Sequence, residues 1–129
     1  MPQVDPARPV EGLRVLVVED EALISLLVED MLLDLGSAEV WVAGNLQAAF
    51  RQLQAHRPDL AVLDVNLAGE LCFPFAAALH EAGIPFLFAT GYGIEGVPAA
   101  WRHRPVIQKP FQMAALSRVL RTLAESRAA

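Results

Sequence analysis

The chain contains short apolar runs that are never interrupted by a polar residue. Val15 to Val18, Leu60 to Leu63 and Phe86 to Ala89 are the clearest. A strand with one wet face alternates every second residue, so an unbroken run reads as a strand buried on both faces. Weaker strand signals lie at Ala38 to Ala43 and at Pro105 to Gln108. Between them the spacing changes to that of a helix. Leu23, Ile24, Leu27, Val28, Met31, Leu32 and Leu35 recur on one face before Gly36 supplies a stop. Asn45 is a predicted N-cap for a helix carrying Leu46, Ala49, Phe50 and Leu53, and Arg57-Pro58 ends it. A loop is expected through Gly69. Phe75, Ala78, Leu79 and Ala82 mark a third helix, stopped by Gly83, and Leu116, Val119, Leu120 and Leu123 mark the last. Gly96, Pro98 and Pro105 leave room for one short helix at most, around Ala99 to Arg102.

Strands alternating with helices imply an α/β fold, a parallel sheet covered on both faces. The length, 129 residues, suits one domain. We expect a flexible leader over 1–12, the domain over 13–125 and a short tail over 126–129. At 54% hydrophobic residues the body of the chain is not disordered. No apolar stretch reaches the roughly 20 residues of a membrane helix. The first residues hold no apolar core of a secretory signal, so a cytoplasmic location and no membrane partner are expected. The net charge of −5 and the absence of a basic stripe argue against nucleic acid. Cys72 is the one cysteine and is expected to be a core residue.

In open parallel sheets, sites form at the carboxyl ends of the strands. The predicted strand ends carry Glu19 and Asp20, then Asp64, then Thr90, then Lys109. Asp64 interrupts an apolar strand, where a purely structural acid is costly. Lys109 is the single lysine beside nine arginines, which suits a site that wants a compact ammonium. Clustered carboxylates repel unless a cation sits among them, and Mg2+ suits a set of hard oxygen ligands that also receives a phosphate. One carboxylate then serves as nucleophile, forming an aspartyl-phosphate, while Lys109 and the Thr90 hydroxyl meet the charge on the transferred group.

From Leu13 to Glu125 these residues resemble the receiver domain of two-component response regulators. The resemblance implies a three-layer (βα)5 flavodoxin-like fold with strand order 2-1-3-4-5; in this chain the fourth helix reads as short or mobile, a departure from the family pattern. It implies Asp64 as phosphoacceptor, with Thr90 as switch hydroxyl and Lys109 in a Lys109-Pro110-Phe111 motif with a cis bond. Magnesium would be held by Asp20 and Asp64, by Glu19 through water, and by the backbone carbonyl of Asn66. The implied phosphodonor is a histidine kinase or a histidine phosphotransfer protein. A downstream protein is expected to bind the face of the fourth helix, fifth strand and fifth helix, where Trp101 and Phe111 fall. A monomer or a phosphorylation-dependent dimer fits.

Three further departures stand out. Ala68 replaces the usual proline four residues after the acceptor. Val106 replaces the usual switch aromatic. Thr90 is followed by Gly91 and Tyr92, similar to a subgroup with a Phe-Ala-Thr-Gly-Tyr signature, many of whose members are single-domain proteins. Tyr92 is expected to stand in for the absent aromatic, with phosphorylation ordering the segment from Gly91 to Arg104. The chain thus reads as a single-domain response regulator rather than an enzyme with a separate substrate. Alternatives are a degenerate receiver-like module that binds partners without phosphate, a haloacid-dehalogenase-type phosphatase and a flavin-binding flavodoxin-like module. The phosphatase type places its nucleophile after the first strand. The flavin module needs a hydroxyl- and glycine-rich loop there, which is absent.

Overall fold

Alternation along the strands sorts the core into two halves. The computed structural model describes residues 4–128. Its main sheet is parallel and holds β1 (Arg14–Val18), β2 (Glu39–Ala43), β3 (Leu60–Asp64), β6 (Phe86–Thr90) and β7 (Val106–Gln108), in the order β2-β1-β3-β6-β7. With a small hairpin set aside, this is the expected order 2-1-3-4-5. The hairpin, β4 (Asn66–Leu67) and β5 (Glu70–Leu71), lies between β3 and the third helix. The helices are α1 (Ala22–Asp34), α2 (Leu46–Ala55), α3 (Phe73–Ala82) and α4 (Met113–Ala128). Leu16, Val18, Ala61, Leu63, Phe86 and Phe88 pack with residues of α2 and α3. Val15, Val17, Leu60, Val62, Leu87 and Ala89 pack with α1 and α4 on the other face. The unbroken apolar runs are what a sheet covered twice requires.

Several local expectations are met. The Asn45 side chain accepts the Ala48 N–H at 2.8 Å, capping α2. The Lys109-Pro110 bond is cis. Gly36 ends α1 with φ +107, where a Cβ would also meet the Glu11 Cα at 2.9 Å. Ser37 N–H to Leu32 and Gly36 N–H to Leu33 complete a Schellman stop.

Other elements differ. The leader is in part docked: Val10 is fully buried, and the Gly12 N–H donates to the Gly36 carbonyl at 3.1 Å. An apolar side chain with a pocket beside α1 outweighs the pull of three nearby prolines toward a loose strand. Residues 1–3 of that leader lie outside the described residues, as does Ala129 of the tail. α4 runs through the rest of the predicted tail to Ala128. The loop expected up to Gly69 is the β4–β5 hairpin. Its two turn residues, Ala68 (φ 54) and Gly69 (φ 94), both have positive φ, as a two-residue hairpin turn with this twist demands. The fourth helical position holds two 3-10 turns, Gly93–Gly96 and Ala99–Trp101. Among the described residues, no helix is long and apolar enough to cross a membrane.

α1 is rotated relative to the face read from the sequence. Val28 and Leu32 are buried as expected, with Ser25 beside them, but Leu23 is 82% exposed and Leu27 is 54% exposed. The helix is apolar nearly all round, so periodicity alone could not choose its inner face.

Candidate functional site

Strand alternation places the acid residues together. Continuing the pleat beyond Val17 and Val62 puts Glu19 and Asp64 on the α1/α4 side of the sheet tips. Lys109 follows Ile107 on the same side. The Lys109 Nζ lies 2.6 Å from Glu19 Oε1 and 3.2 Å from Asp64 Oδ2. Glu19 and Asp64 are nearly buried, whereas Asp20 is exposed. One carboxylate oxygen from each of Glu19, Asp20 and Asp64 lies within 4.8 Å of the others. The backbone fixes the arrangement. Lys109 N–H donates to the Thr90 carbonyl at 2.9 Å, Val65 N–H to Ala89 at 3.2 Å, and Glu19 N–H to Ala43 at 3.0 Å. The second Glu19 oxygen accepts the Glu21 N–H at 3.2 Å.

The electrostatics follow from that packing. Burial, and then the neighbouring Glu19 carboxylate, push the Asp64 carboxyl up to about 6, with the Lys109 ammonium pulling the other way. Burial alone would lower Lys109, but Glu19 and Asp64 outweigh it and hold its pKa above the ordinary lysine value. A single ammonium therefore does not neutralise the crevice fully. Three hard oxygen donors, one of them open to solvent, fit a divalent ion of the magnesium type. Cys72 is buried, as expected, and its thiol is pushed up to about 12 by burial, which leaves it unreactive at neutral pH.

Thr90 lies on the other side of the pleat, following Phe86 and Phe88. It is buried, and its Oγ1 accepts the Tyr92 N–H at 3.1 Å. The Tyr92 ring, expected to fill the place of the missing aromatic, is instead 77% exposed. Tyr92 lies two residues past the end of β6, beyond the strand's last paired residue. The aromatic that covers this edge is Trp101, with ring centroids 6.0 and 6.2 Å from Phe86 and Phe88. Val106 is half-buried against the same cluster. Asn66 uses its side chain to accept the Gly69 N–H at 2.7 Å, closing the hairpin turn. Phe111 is half-buried against the α1/α4 half of the core. It also lines a groove of about 330 Å3 with Ile24, Leu27, Val28, Pro110 and Lys109.

Two features escaped the sequence. One is this apolar groove beside the crevice, hidden by the misjudged face of α1. The other is Gly96, which lies against Thr90. Its signal was present as a third glycine within six residues, but glycine spacing alone suggests only mobility.

Fold and crevice define the class: a receiver-type signalling module on a doubly wound parallel sheet. Comparison with known proteins agrees. The model of the response regulator receiver domain family matches residues 15–121, and the chain belongs to that family. The chain is 39% identical over 87 residues to the sensory transduction protein LytT of Bacillus subtilis (strain 168), covering 62% of this chain and 34% of LytT. It thus spans about a third of that relative's length. It is similar to SdrG from Sphingomonas melonis Fr1 in solution, with 39% identity and a TM-score of 0.74 over 87% of this chain and 96% of that one. The BeF3-activated conformation of SdrG from Pseudomonas melonis Fr1 matches at 38% identity, with a TM-score of 0.75 over 88% and 98% of the two chains. The phosphatase and degenerate alternatives are not favoured.

Proposed function

We propose that this receiver domain accepts a phosphoryl group on Asp64 in a magnesium-dependent step and passes the signal on by protein contact. The observation that carries the proposal is the buried Asp64 carboxylate, held 3.2 Å from the Lys109 ammonium and beside Glu19 and Asp20. An Asp64 oxygen forms the new bond to phosphorus as the bond from phosphorus to the donor's imidazole nitrogen breaks. The imidazole leaves with the electron pair and takes up a proton. The product is an acyl phosphate. Lys109 meets the negative charge of the transferred oxygens, and Thr90 donates its hydroxyl hydrogen to one of them. Glu19, Asp20 and Asp64 would hold the magnesium ion, joined by the backbone carbonyl of Asn66. Bound there, the ion supplies positive charge against the phosphoryl oxygens. That a relative adopts a BeF3-activated conformation supports the same chemistry here.

The donor is a histidine kinase or a histidine phosphotransfer protein, acting in the cytoplasm. Its docking surface is the exposed face of α1. Leu23, Leu26 and Leu27 are each more than half exposed, and Leu27 lines the groove that reaches Lys109. A donor that brings its imidazole to Asp64 must cover this rim, and an apolar helix face provides the attachment. With Val106 in place of an aromatic, output passes through the segment from Gly91 to Arg104.

The test is direct. The protein is incubated with magnesium and a small phosphodonor, and an acid-stable, base-labile phosphate is sought by intact mass. The parent should gain one adduct and Asp64→Ala none. No adduct in the parent, or equal labelling of both, would refute the assignment.

A further inference from the structure

The Thr90 hydroxyl is roofed by backbone. A Cβ built on Gly96 would lie 2.7 Å from Thr90 Oγ1, 3.3 Å from the Tyr92 Cβ and 3.6 Å from the Thr90 Cβ. The same construction at Gly12, Gly44, Gly69 and Gly91 meets nothing within 4 Å. Gly96 also lacks the left-handed φ of Gly12, Gly36, Gly69 and Gly83. Its conformation therefore does not call for glycine; the contact with Thr90 does.

The roof is anchored on its far side. Val97 is buried in the α2/α3 half of the core, and its carbonyl accepts the Arg102 Nε–H at 2.8 Å. Trp101 packs on Phe86 and Phe88, and the Arg104 guanidinium lies over the Phe86 ring at 4.4 Å. The turn cannot retreat without lifting these groups. A hydroxyl moves more easily, by rotation about one bond.

Thr90 Oγ1 is thus seated between the Tyr92 N–H, which donates to it, and the Cα of Gly96. Its own hydrogen is left for an acceptor elsewhere. Asp64 is paired with Ala89 in the sheet, so Thr90 is the next residue toward the tip of the adjoining strand. We infer that Gly96 is a positioning residue: the bare backbone at this site seats the Thr90 hydroxyl so that its hydrogen serves the group transferred to Asp64. The inference rests on Asp64 as phosphoacceptor for its consequence, though not for the contact itself. The coupling runs both ways. A Thr90 hydroxyl drawn toward a phosphoryl oxygen leaves the underside of Gly96 open, and the turn can settle into that space.

Four proteins test this: the parent, Thr90→Ala, Gly96→Ala and the double variant. Without any phosphodonor, the Tyr92 amide resonance reports the seating. In Gly96→Ala it should move toward its position in Thr90→Ala, because both lose the Oγ1 acceptor; an unmoved resonance overturns the inference. With acetyl phosphate and magnesium, Gly96→Ala should take up phosphate about tenfold more slowly, the worth of one hydrogen bond to a charged group. The double variant should be no slower than Thr90→Ala alone. Parent-like uptake by Gly96→Ala, or slowing that multiplies in the double variant, overturns it. Should Gly96→Ala fail to fold, removal of Oγ1 ought to make room for the new methyl. A folded double variant then supports the inference and an unfolded one overturns it. A parent that takes up no phosphate refutes the reading of Asp64, while the Tyr92 resonance still decides the seating.

Discussion

Asp64 is a carboxylate placed where ionisation is opposed, since burial and Glu19 raise its pKa from 3.8 to about 6. The folded protein therefore holds a proton on Asp64 at pH values where the unfolded chain has released it. Stability from this group is present in full below about pH 4 and is lost as pH rises to about 6. The loss is on the order of 3 kcal/mol at most, at about 1.4 kcal/mol for each pH unit between the two values. Lys109 stays charged across that window and does not alter the slope. Divalent ions favour the ionised carboxylates, so magnesium should raise the melting temperature more at pH 7 than at pH 5. Equal shifts at both pH values would contradict the assigned metal site. Ala68 offers a second residue-scale test. Its φ of 54 excludes the proline common in the family, because a proline ring holds φ near about −65°. Ala68→Pro should cost about 3 kcal/mol in urea unfolding, through loss of the hairpin turn. Ala68→Gly should raise stability by about 0.5 kcal/mol, since glycine relieves the left-handed strain but loses more entropy on folding.

At the scale of elements, α1 shows where sequence and structure part. Its position between β1 and β2 was legible from spacing and from Gly36. Its inner face was not, because Leu23, Ile24, Leu26, Leu27 and Leu33 leave little polar contrast, and Ser25 is buried in exchange. Of these, Leu23, Leu26 and Leu27 are left more than half exposed. Replacing Leu23 and Leu27 by aspartate should therefore change folding stability by less than about 0.5 kcal/mol each. If the phosphodonor's helix docks there, the same changes should slow transfer from a phosphorylated histidine donor at least tenfold. Labelling by acetyl phosphate should stay at the parent rate. Loss of both activities together would place these residues in the fold or the chemistry instead of the docking surface. The hairpin is the converse case. Ala68 gave no turn signal by type, since its left-handed conformation is imposed by the Asn66 side chain and Gly69 closing the turn around it.

The whole molecule divides into a sheet that pattern alone could foresee and a rim that it could not. Residues buried twice over, such as Leu63 and Phe88, announce themselves as unbroken apolar runs. So do the polar residues Glu19, Asp64 and Thr90 that end those runs, while Lys109 stood out as the single lysine; the structure brings Glu19, Asp64 and Lys109 into contact and sets Thr90 on the other side of the pleat. The segment from Gly91 to Arg104 was not legible in this way, because its order comes from tertiary contacts of Val97, Trp101 and Arg104 rather than from local periodicity. The Arg104 Nη2, for example, lies 2.6 Å from His80 Nδ1 on α3, a pairing no local pattern encodes. This difference predicts how stability is distributed. Amides of β1, β3 and β6 lie between two core layers and should exchange with solvent only through global unfolding. Amides of residues 91–104 are joined to the sheet by few backbone bonds and should exchange through local opening at much lower free energy. If signal leaves Asp64 through Thr90 and the turn above it, adding beryllofluoride and magnesium should slow exchange in 91–104 while leaving β1 and β3 unchanged. Protection that instead appears in α1 would move the output to the docking face. Unchanged exchange throughout would mean that this segment does not carry the signal.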